Sequence, residues 1–334
     1  MQIRELNPSD DADDLAAALP LFQQARRDYL PGFPEGGEAR LRLWCMDGYR
    51  QQTTTLGAFA DEHATEADGI ALYFADLDRN LDQASVDVIV PAGPDAQRVE
   101  TALYREAVRR TAELGRRRLA TDMPETMDPA ALIERNGGAK YTDTAIASML
   151  DLGTIDRARY AAWAEPSAKN SEYTLVRWIG SCPDELAESY CAALDAMADQ
   201  PMGTFEYEFA KNDVDRLRHN EANVRRIGGR KYAQAALDPK GNVAGFNLLM
   251  AFPDEPGFIE VWDTGVTREH RGHGLGLRLK AAAALWVLED RPDARWVHTF
   301  NNDENEWMLA VNRTLGYRPT VNFLGYEFAV DGRG

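Results

Sequence analysis

Two segments lying nearly half a chain apart read alike, and this repeat limits what the 334-residue chain can fold into more than any other feature. IRELNPSDDADDLAAAL near the start and LVRWIGSCPDELAESYCAAL from Leu175 each give a short strand of alternating character, a polar turn, and an acidic helix start opening an amphipathic helix. The two halves also close alike, IERNGGAKY around Gly138 answering NRTLGYRP around Gly316. The expectation is a chain made of two copies of one α/β (α+β) unit. Between them DLGTIDRARYAAWAEPSAKNSEY lacks strong periodicity and carries a proline among Ser, Lys and Asn. The boundary is placed there, near Pro166, giving domains 1–165 and 166–334 with a connecting arm before the proline.

Composition narrows the function classes. The chain has 44% hydrophobic residues, enough for packed cores, and its longest apolar run, AAAALWVL, falls well short of the roughly 18 residues that span a bilayer. The acidic, polar start does not resemble a secretory leader, so a cytoplasmic protein with no membrane partner is expected. Acidic residues number 54 against 37 basic ones, a formal charge of −17, which repels nucleic acid and suits a cationic small molecule. Cys45, Cys182 and Cys191 form no C-x-x-C pair, and thiols without a disulfide framework or metal are expected. The same composition leaves open whether the chain is a monomer or a homodimer.

The second half carries the informative pattern. RKYAQAALDPKGNVAGFNLLMAF reads as a hairpin about DPKGN, GFIEVWDTGVT as a third strand, and RWVHTF, NEWMLAVNRTLG and NFLGYEFAV as strand, helix and strand. Between the third strand and the next helix lies REHRGHGLGLRLK. On that helix Leu275, Leu279, Ala282 and Trp286 predict one apolar face, with Arg278 and Lys280 turned elsewhere, toward phosphates or solvent. A strand entering a helix through glycines presents unpaired N–H groups at the positive end of a helix dipole, a place for a phosphate. The spacing fits neither the P-loop nor G-x-G-x-x-G.

Arg271-x-x-Gly274-x-Gly276 resembles the acyl-CoA pyrophosphate loop of the GNAT superfamily of N-acyltransferases. Asn305-x-x-Met308-x-x-Val311-Asn312-x-x-Leu315-Gly316-Tyr317 resembles that family's pantetheine-side helix and the Gly-aromatic turn after it. With the repeat, the whole is similar to the two-domain, mycothiol-synthase-like branch of the superfamily. The resemblance implies two tandem GNAT folds, each a mixed, mostly antiparallel sheet flanked by helices. It also implies acetyl-CoA, or another short acyl-CoA, as the donor, with acyl transfer to the amine of a small, cationic molecule. In the first half PAGPDAQRVETAL stands where the loop belongs, and its prolines and acid predict a copy that does not bind acyl-CoA in the usual way.

The resemblance also implies roles for residues. Thr264, Gly265 and Val266, with Arg271, Gly272, His273, Gly274, Leu275 and Gly276, would meet the cofactor, as would Asn305 and Met308. The carbonyl would meet a backbone N–H at a bulge near Thr264-Gly265. Glu260, eleven positions before Arg271, is the first candidate base and Asp263 the second; on a regular strand they point to opposite faces. Where many members carry a tyrosine acid, four positions before Gly316, this chain has Asn312, leaving Tyr317, Tyr326 or water as the proton donor, or an atypical chemistry. His270 and His273 lack ligand-spaced partners and are expected to face solvent or phosphate. Glu206 and Glu208, interleaved with Phe205 and Tyr207, are the candidate acceptor-binding residues. Asn312 also leaves room for a non-catalytic acyl-CoA-binding or sensing protein.

Overall fold

The computed structural model describes residues 1–330, which fall into two compact units. The first comprises Met1–Ala145, Met202–Glu208 and residues 321–330; the second comprises Ile146–Pro201 and Phe209–Thr320.

In the first unit the elements run β1 (Gln2–Leu6), α1 (Ala12–Tyr29), α2 (Glu38–Cys45), β2 (Gln51–Phe59), β3 (Ala67–Asp76), β4 (Gln83–Ile89), α3 (Ala96–Glu113), β5 (Arg118–Pro124), α4 (Pro129–Arg135) and the start of β6 (Lys140–Asp151). The Asp11 side chain caps α1 by accepting the amides of Asp13 and Asp14, as the acidic helix start predicted. Leu15, Ala18 and Phe22 then meet Ile70 and Leu72 of β3. The alternate residues of that strand, Ala71 and Tyr73, pack with Val99, Leu103 and Ala107 of α3 on the opposite face. Strands β1 to β4 are antiparallel neighbours, whereas β4 and β5 are parallel and paired only over Gln83–Ser85 and Arg118–Ala120. Beyond these pairs the two strands part.

The second unit holds α5 (Arg157–Ala164), β7 (Thr174–Ile179), α6 (Asp184–Leu194), α7 (Val214–Arg226), β8 (Arg230–Leu237), β9 (Val243–Ala251), β10 (Phe258–Val266), α8 (Leu275–Asp290), β11 (Trp296–Asn302), α9 (Glu306–Leu315) and the start of β12 (Arg318–Ala329). DPKGN makes the expected hairpin turn, closed by the Asp238 amide on the Asn242 carbonyl with Gly241 at φ +85°. Strands β7 to β10 form an antiparallel meander, with Tyr190 and Cys191 of α6 covering one face and Trp286 and Val287 of α8 the other. The parallel pair β10–β11 repeats the pattern of the first unit, joined only over Phe258–Glu260 and Trp296–His298.

The final strand of each sheet comes from the other half of the sequence. Residues Phe323–Ala329 of β12 run antiparallel to β5 in the first unit, and the end of β6 lies next to β11 in the second. Each unit is a mixed, mostly antiparallel sheet with helices on it, the architecture expected from the repeat. All three cysteines are buried free thiols, and among the described residues no helix is long and apolar enough to cross a membrane.

Candidate active site

The REHRGHGLGL segment folds as a 3-10 turn, Arg268–His270, then a loop that takes Gly272 to φ +83° and Gly274 to φ +74° before α8 begins. Both glycines adopt a left-handed conformation that a residue with a Cβ reaches only with strain. No side chain caps α8, so its first-turn amides are left for an outside acceptor. A Cβ built on Gly272 or Gly276 would meet nothing within 4 Å, so these positions border open space. An anion with several oxygens, such as a diphosphate, fits such a turn.

The loop is propped from behind by the 164–173 segment. Asn170, buried, donates from Nδ2 to the His273 carbonyl at 3.0 Å, and the Tyr173 hydroxyl meets His270 Nδ1 at 2.9 Å. The His273 ring packs on Tyr173, and its Nδ1 lies 3.1 Å from the His270 carbonyl. Tyr173 thus holds both histidines in place while each stays partly exposed beside the loop. Arg278 and Lys280 are corrected more sharply, because α8 is buried nearly all round and has no polar face to give them. Arg278 is 5% exposed and donates to the carbonyls of Ala164, Asn170 and Tyr173, each within 3.1 Å. Arg278→Met would remove the guanidinium that bridges these three carbonyls, Asn170's keeping the Tyr173 amide, and urea unfolding should show a loss of about 2–3 kcal/mol together with weaker ligand binding at the loop. Lys280 Nζ has no hydrogen-bond partner among the described residues; it lies 4.8 Å from the Tyr317 ring, and burial lowers its pKa to about 7.

Arg271 does not stand free at the loop. Its guanidinium donates to the Val266 carbonyl and, with Arg268, to Asp199, whose carboxyl these hydrogen bonds hold below the usual range. Asp199 lies far away in sequence and carries no motif, so nothing in the pattern pointed to it.

The β10 strand behaves differently from expectation at its glycine. The register shift falls between Val261 and Asp263, so Trp262 is the extra residue, while Thr264, Gly265 and Val266 pair regularly with Asn247, Phe246 and Gly245. Gly265 is glycine because a Cβ there would lie 2.7 Å from the Phe246 ring. The shift has a useful consequence: Glu260 opposes Met250 and Asp263 opposes Leu248, so both carboxylates stand on the same face. Burial raises the Asp263 pKa to about 6, against a lowering pull from Lys231. Glu260 also sits directly across from His298 of β11, at the last parallel pair before the strands part. His298 is 2% exposed and escaped the sequence reading because RWVHTF looks like any buried strand.

Asn305 and Asn312 make hydrogen bonds within the fold. Asn305 caps α9 by accepting the Met308 amide at 3.2 Å, and Met308 is half-buried. Asn312 is 2% exposed; its Nδ2 donates to Asn301 Oδ1 at 2.6 Å, and its Oδ1 has no partner among the described residues. Tyr317 lies in the core with Tyr160 and α8, where burial pushes its hydroxyl far above the ordinary tyrosine value. Tyr326 belongs to the first unit. Glu206 and Glu208 are there too; their side chains are exposed, and the interleaved Phe205 and Tyr207 rings stack and line a cavity instead. No group of three His, Cys, Asp or Glu among the described residues could hold a metal ion.

Residues 194–317 match the acetyltransferase (GNAT) family. No curated protein matches the sequence. Among solved structures, a tandem GNAT protein from the clavulanic acid biosynthesis pathway, solved without AcCoA, superposes with a TM-score of 0.82 at 21% identity, over 99% of this chain and 98% of that one. A GCN5-related N-acetyltransferase from Sphaerobacter thermophilus gives 0.61 at 14% identity over 98% and 95%. A GNAT-family acetyltransferase from Colwellia psychrerythraea gives 0.54 at 10% identity over 98% and 100%. At such identities the likeness fixes the fold alone. The chain thus has the fold of a tandem GNAT protein, and its residues 194–317 are similar to the GNAT acetyltransferase family.

Proposed function

We propose that the second unit transfers an acetyl, or another short acyl, group from acetyl-CoA to an amine nitrogen of a small cationic molecule, by direct attack within a ternary complex. The observation that carries this reading is the meeting, inside the family-matched segment, of an uncapped glycine-led helix start with a bulged strand that sets two carboxylates on one face. The amides of Leu275 and Gly276 and the open space at Gly272 would hold the diphosphate, and acetyl-CoA when bound supplies an activated thioester carbonyl. The chain's own part is to take a proton from the acceptor's ammonium, so that the neutral amine can attack the thioester and expel the CoA thiolate, and to keep the reacting groups together. Asp263, with its pKa near 6, is poised to take that proton close to neutral pH; Glu260 stands on the same face three residues away and is the other base. No cysteine is placed for a covalent intermediate, since burial raises Cys182 to about 12 and Cys191 to about 11, leaving both as inert thiols.

Glu260→Gln and Asp263→Asn should each leave acetyl-CoA affinity within about twofold, and the one that removes the base should lower kcat by roughly a hundredfold or more. Stopped assays of thiol release from acetyl-CoA with a panel of amines read kcat, and calorimetry reads affinity. Unchanged turnover in both variants across pH 6–9 would assign the proton to solvent. A second reading, binding without turnover, draws on Asn312, an amide standing where an acid could protonate the leaving thiolate. Under that reading acetyl-CoA gives a binding heat while no amine releases thiol.

A further inference from the structure

The first unit contains a cavity of about 280 Å³ at the place where β4 and β5 part. Four carboxylates line it, Asp76, Asp87, Asp122 and Asp143, and no Lys, Arg or His does. Asp76 is already satisfied, accepting from Gln51, Arg79 and Asn80. Asp143 accepts from the Thr142 hydroxyl at 2.8 Å. Asp87 and Asp122 have no hydrogen-bond donor among the described residues, and each is pushed toward its neutral form by burial and by a neighbouring carboxylate.

The crowding of negative charge is accommodated by the backbone. Gly325 of β12 faces this group, and a Cβ on it would lie 3.1 Å from Asp122 Oδ1, 2.5 Å from Thr142 Oγ1 and closer still to Asp143 Oδ1. Only a glycine lets the two carboxylates approach over that strand. An independent sign of a missing guest is Gln83, which is 4% exposed and lines the same cavity while its Oε1 has no hydrogen-bond partner. The Nε2 of the same amide donates to the Glu206 carbonyl at 3.3 Å, so the amide is oriented with its acceptor left over. A buried acceptor with no donor is unfavourable, and a guest that donates to it removes that cost. The remaining walls are aromatic: Phe74, Phe205, Tyr207 and Tyr326.

Acceptors without donors, two unpaired carboxylates and ring faces share one complement, a cation that carries several N–H groups and an apolar body. A bare metal ion is the poorer guest, because no three acidic, His or Cys side chains among the described residues converge to hold one. We infer that the cavity between β4 and β5 is a binding site for a small organic cation, a protonated amine or guanidinium on an apolar or aromatic frame, recognised by Asp87, Asp122 and Gln83. The inference is independent of the acyl-transfer reading, because every residue of this site belongs to the first unit.

The test is calorimetry on the full chain with phenethylamine and agmatine as probes, and phenethyl alcohol and magnesium chloride as controls. The expected result is saturable heat with at least one of the two cations, and affinity at least tenfold weaker for the alcohol. Asp122→Asn should weaken the cation at least tenfold with no fall in the unliganded Tm, since it removes a carboxylate that repels Asp143. Asp263→Asn, in the second unit, should leave that affinity unchanged and so separates this site from an acceptor site near β10. Equal affinity for amine and alcohol, no heat from either cation, heat only from magnesium, or loss in Asp263→Asn instead of Asp122→Asn would each overturn the inference.

Discussion

Acetyl-CoA binding should weaken in Gly276→Ala while the protein becomes no less stable. Gly276 sits in the first turn of α8 at an ordinary helical φ, and a Cβ there would touch nothing within 4 Å. In a helix alanine is better than glycine by about 1 kcal/mol, so the variant's Tm should hold or rise. The added methyl would occupy the space that diphosphate oxygens need in order to reach the amides, and affinity should fall by at least about tenfold, or 1.4 kcal/mol. Gly274→Val goes further. Its φ of +74° places a β-branched side chain in left-handed backbone at a cost of about 1–2 kcal/mol, and the loop that aims the amides is rebuilt as a result. Asn170 Nδ2 at 3.6 Å is an ordinary contact, so the damage comes from conformation and not collision. Binding in that variant should drop more than about a hundredfold, with a measurable loss of stability. Calorimetry and thermal melts on the two variants together decide the matter: near-normal affinity in both would remove the diphosphate from this turn.

The parts legible in the sequence were those written in local pattern. The repeat, the DPKGN hairpin and the glycine loop follow from strand alternation, turn chemistry and the need for positive φ, all of which act over a few residues. What failed was what depends on partners far away in the chain. A glycine inside a strand records either a bulge or a close neighbour, and at Gly265 the neighbour was the Phe246 ring, which no local pattern reveals. Arg278 and Lys280 looked exposed because they are charged, yet α8 is enclosed by sheet and helices and buries both. The exchange of β6 and β12 between the units leaves no local trace, since a strand's sequence shows which face is apolar but not which edge it joins.

The acids of the first unit could have been found by pressing the repeat harder. Counted from the first parallel pair of each unit, Asp87 lies four residues along β4 and Asp263 five along β10, and the extra residue is the one at the bulge. The two aspartates therefore occupy equivalent places, each raised in pKa by burial where its parallel strands part. The repeat thus preserves an acid at the parting point in a half that lacks the glycine loop. This is a physical reason to treat the first unit as a binding site in its own right.

Stability should pass through a minimum near neutral pH instead of the usual broad maximum. Asp87 has its pKa raised from 3.8 to about 7, by burial and then by Asp122. Between these values the folded chain keeps a proton that the unfolded chain has released, so stability is lost as pH rises from about 4 to 7. The full shift corresponds to about 4 kcal/mol, and to less where water enters the cavity. Asp122 and Asp263, each raised to about 6, act in the same direction. Lys280 does the opposite: its pKa falls from 10.5 to about 7, so between pH 7 and 10 the unfolded chain holds the extra proton and stability is regained as pH rises. Urea midpoints measured from pH 4 to 10 should trace the dip. Asp87→Asn should flatten its acid limb and Lys280→Met its alkaline limb, each raising the midpoint at pH 7. A wild-type profile that climbs from pH 4 to 7 would mean that these carboxylates are paired or hydrated in solution. A bound organic cation in the first unit should remove the acid limb just as Asp87→Asn does, because it supplies the charge that the folded chain withholds from Asp87 and Asp122.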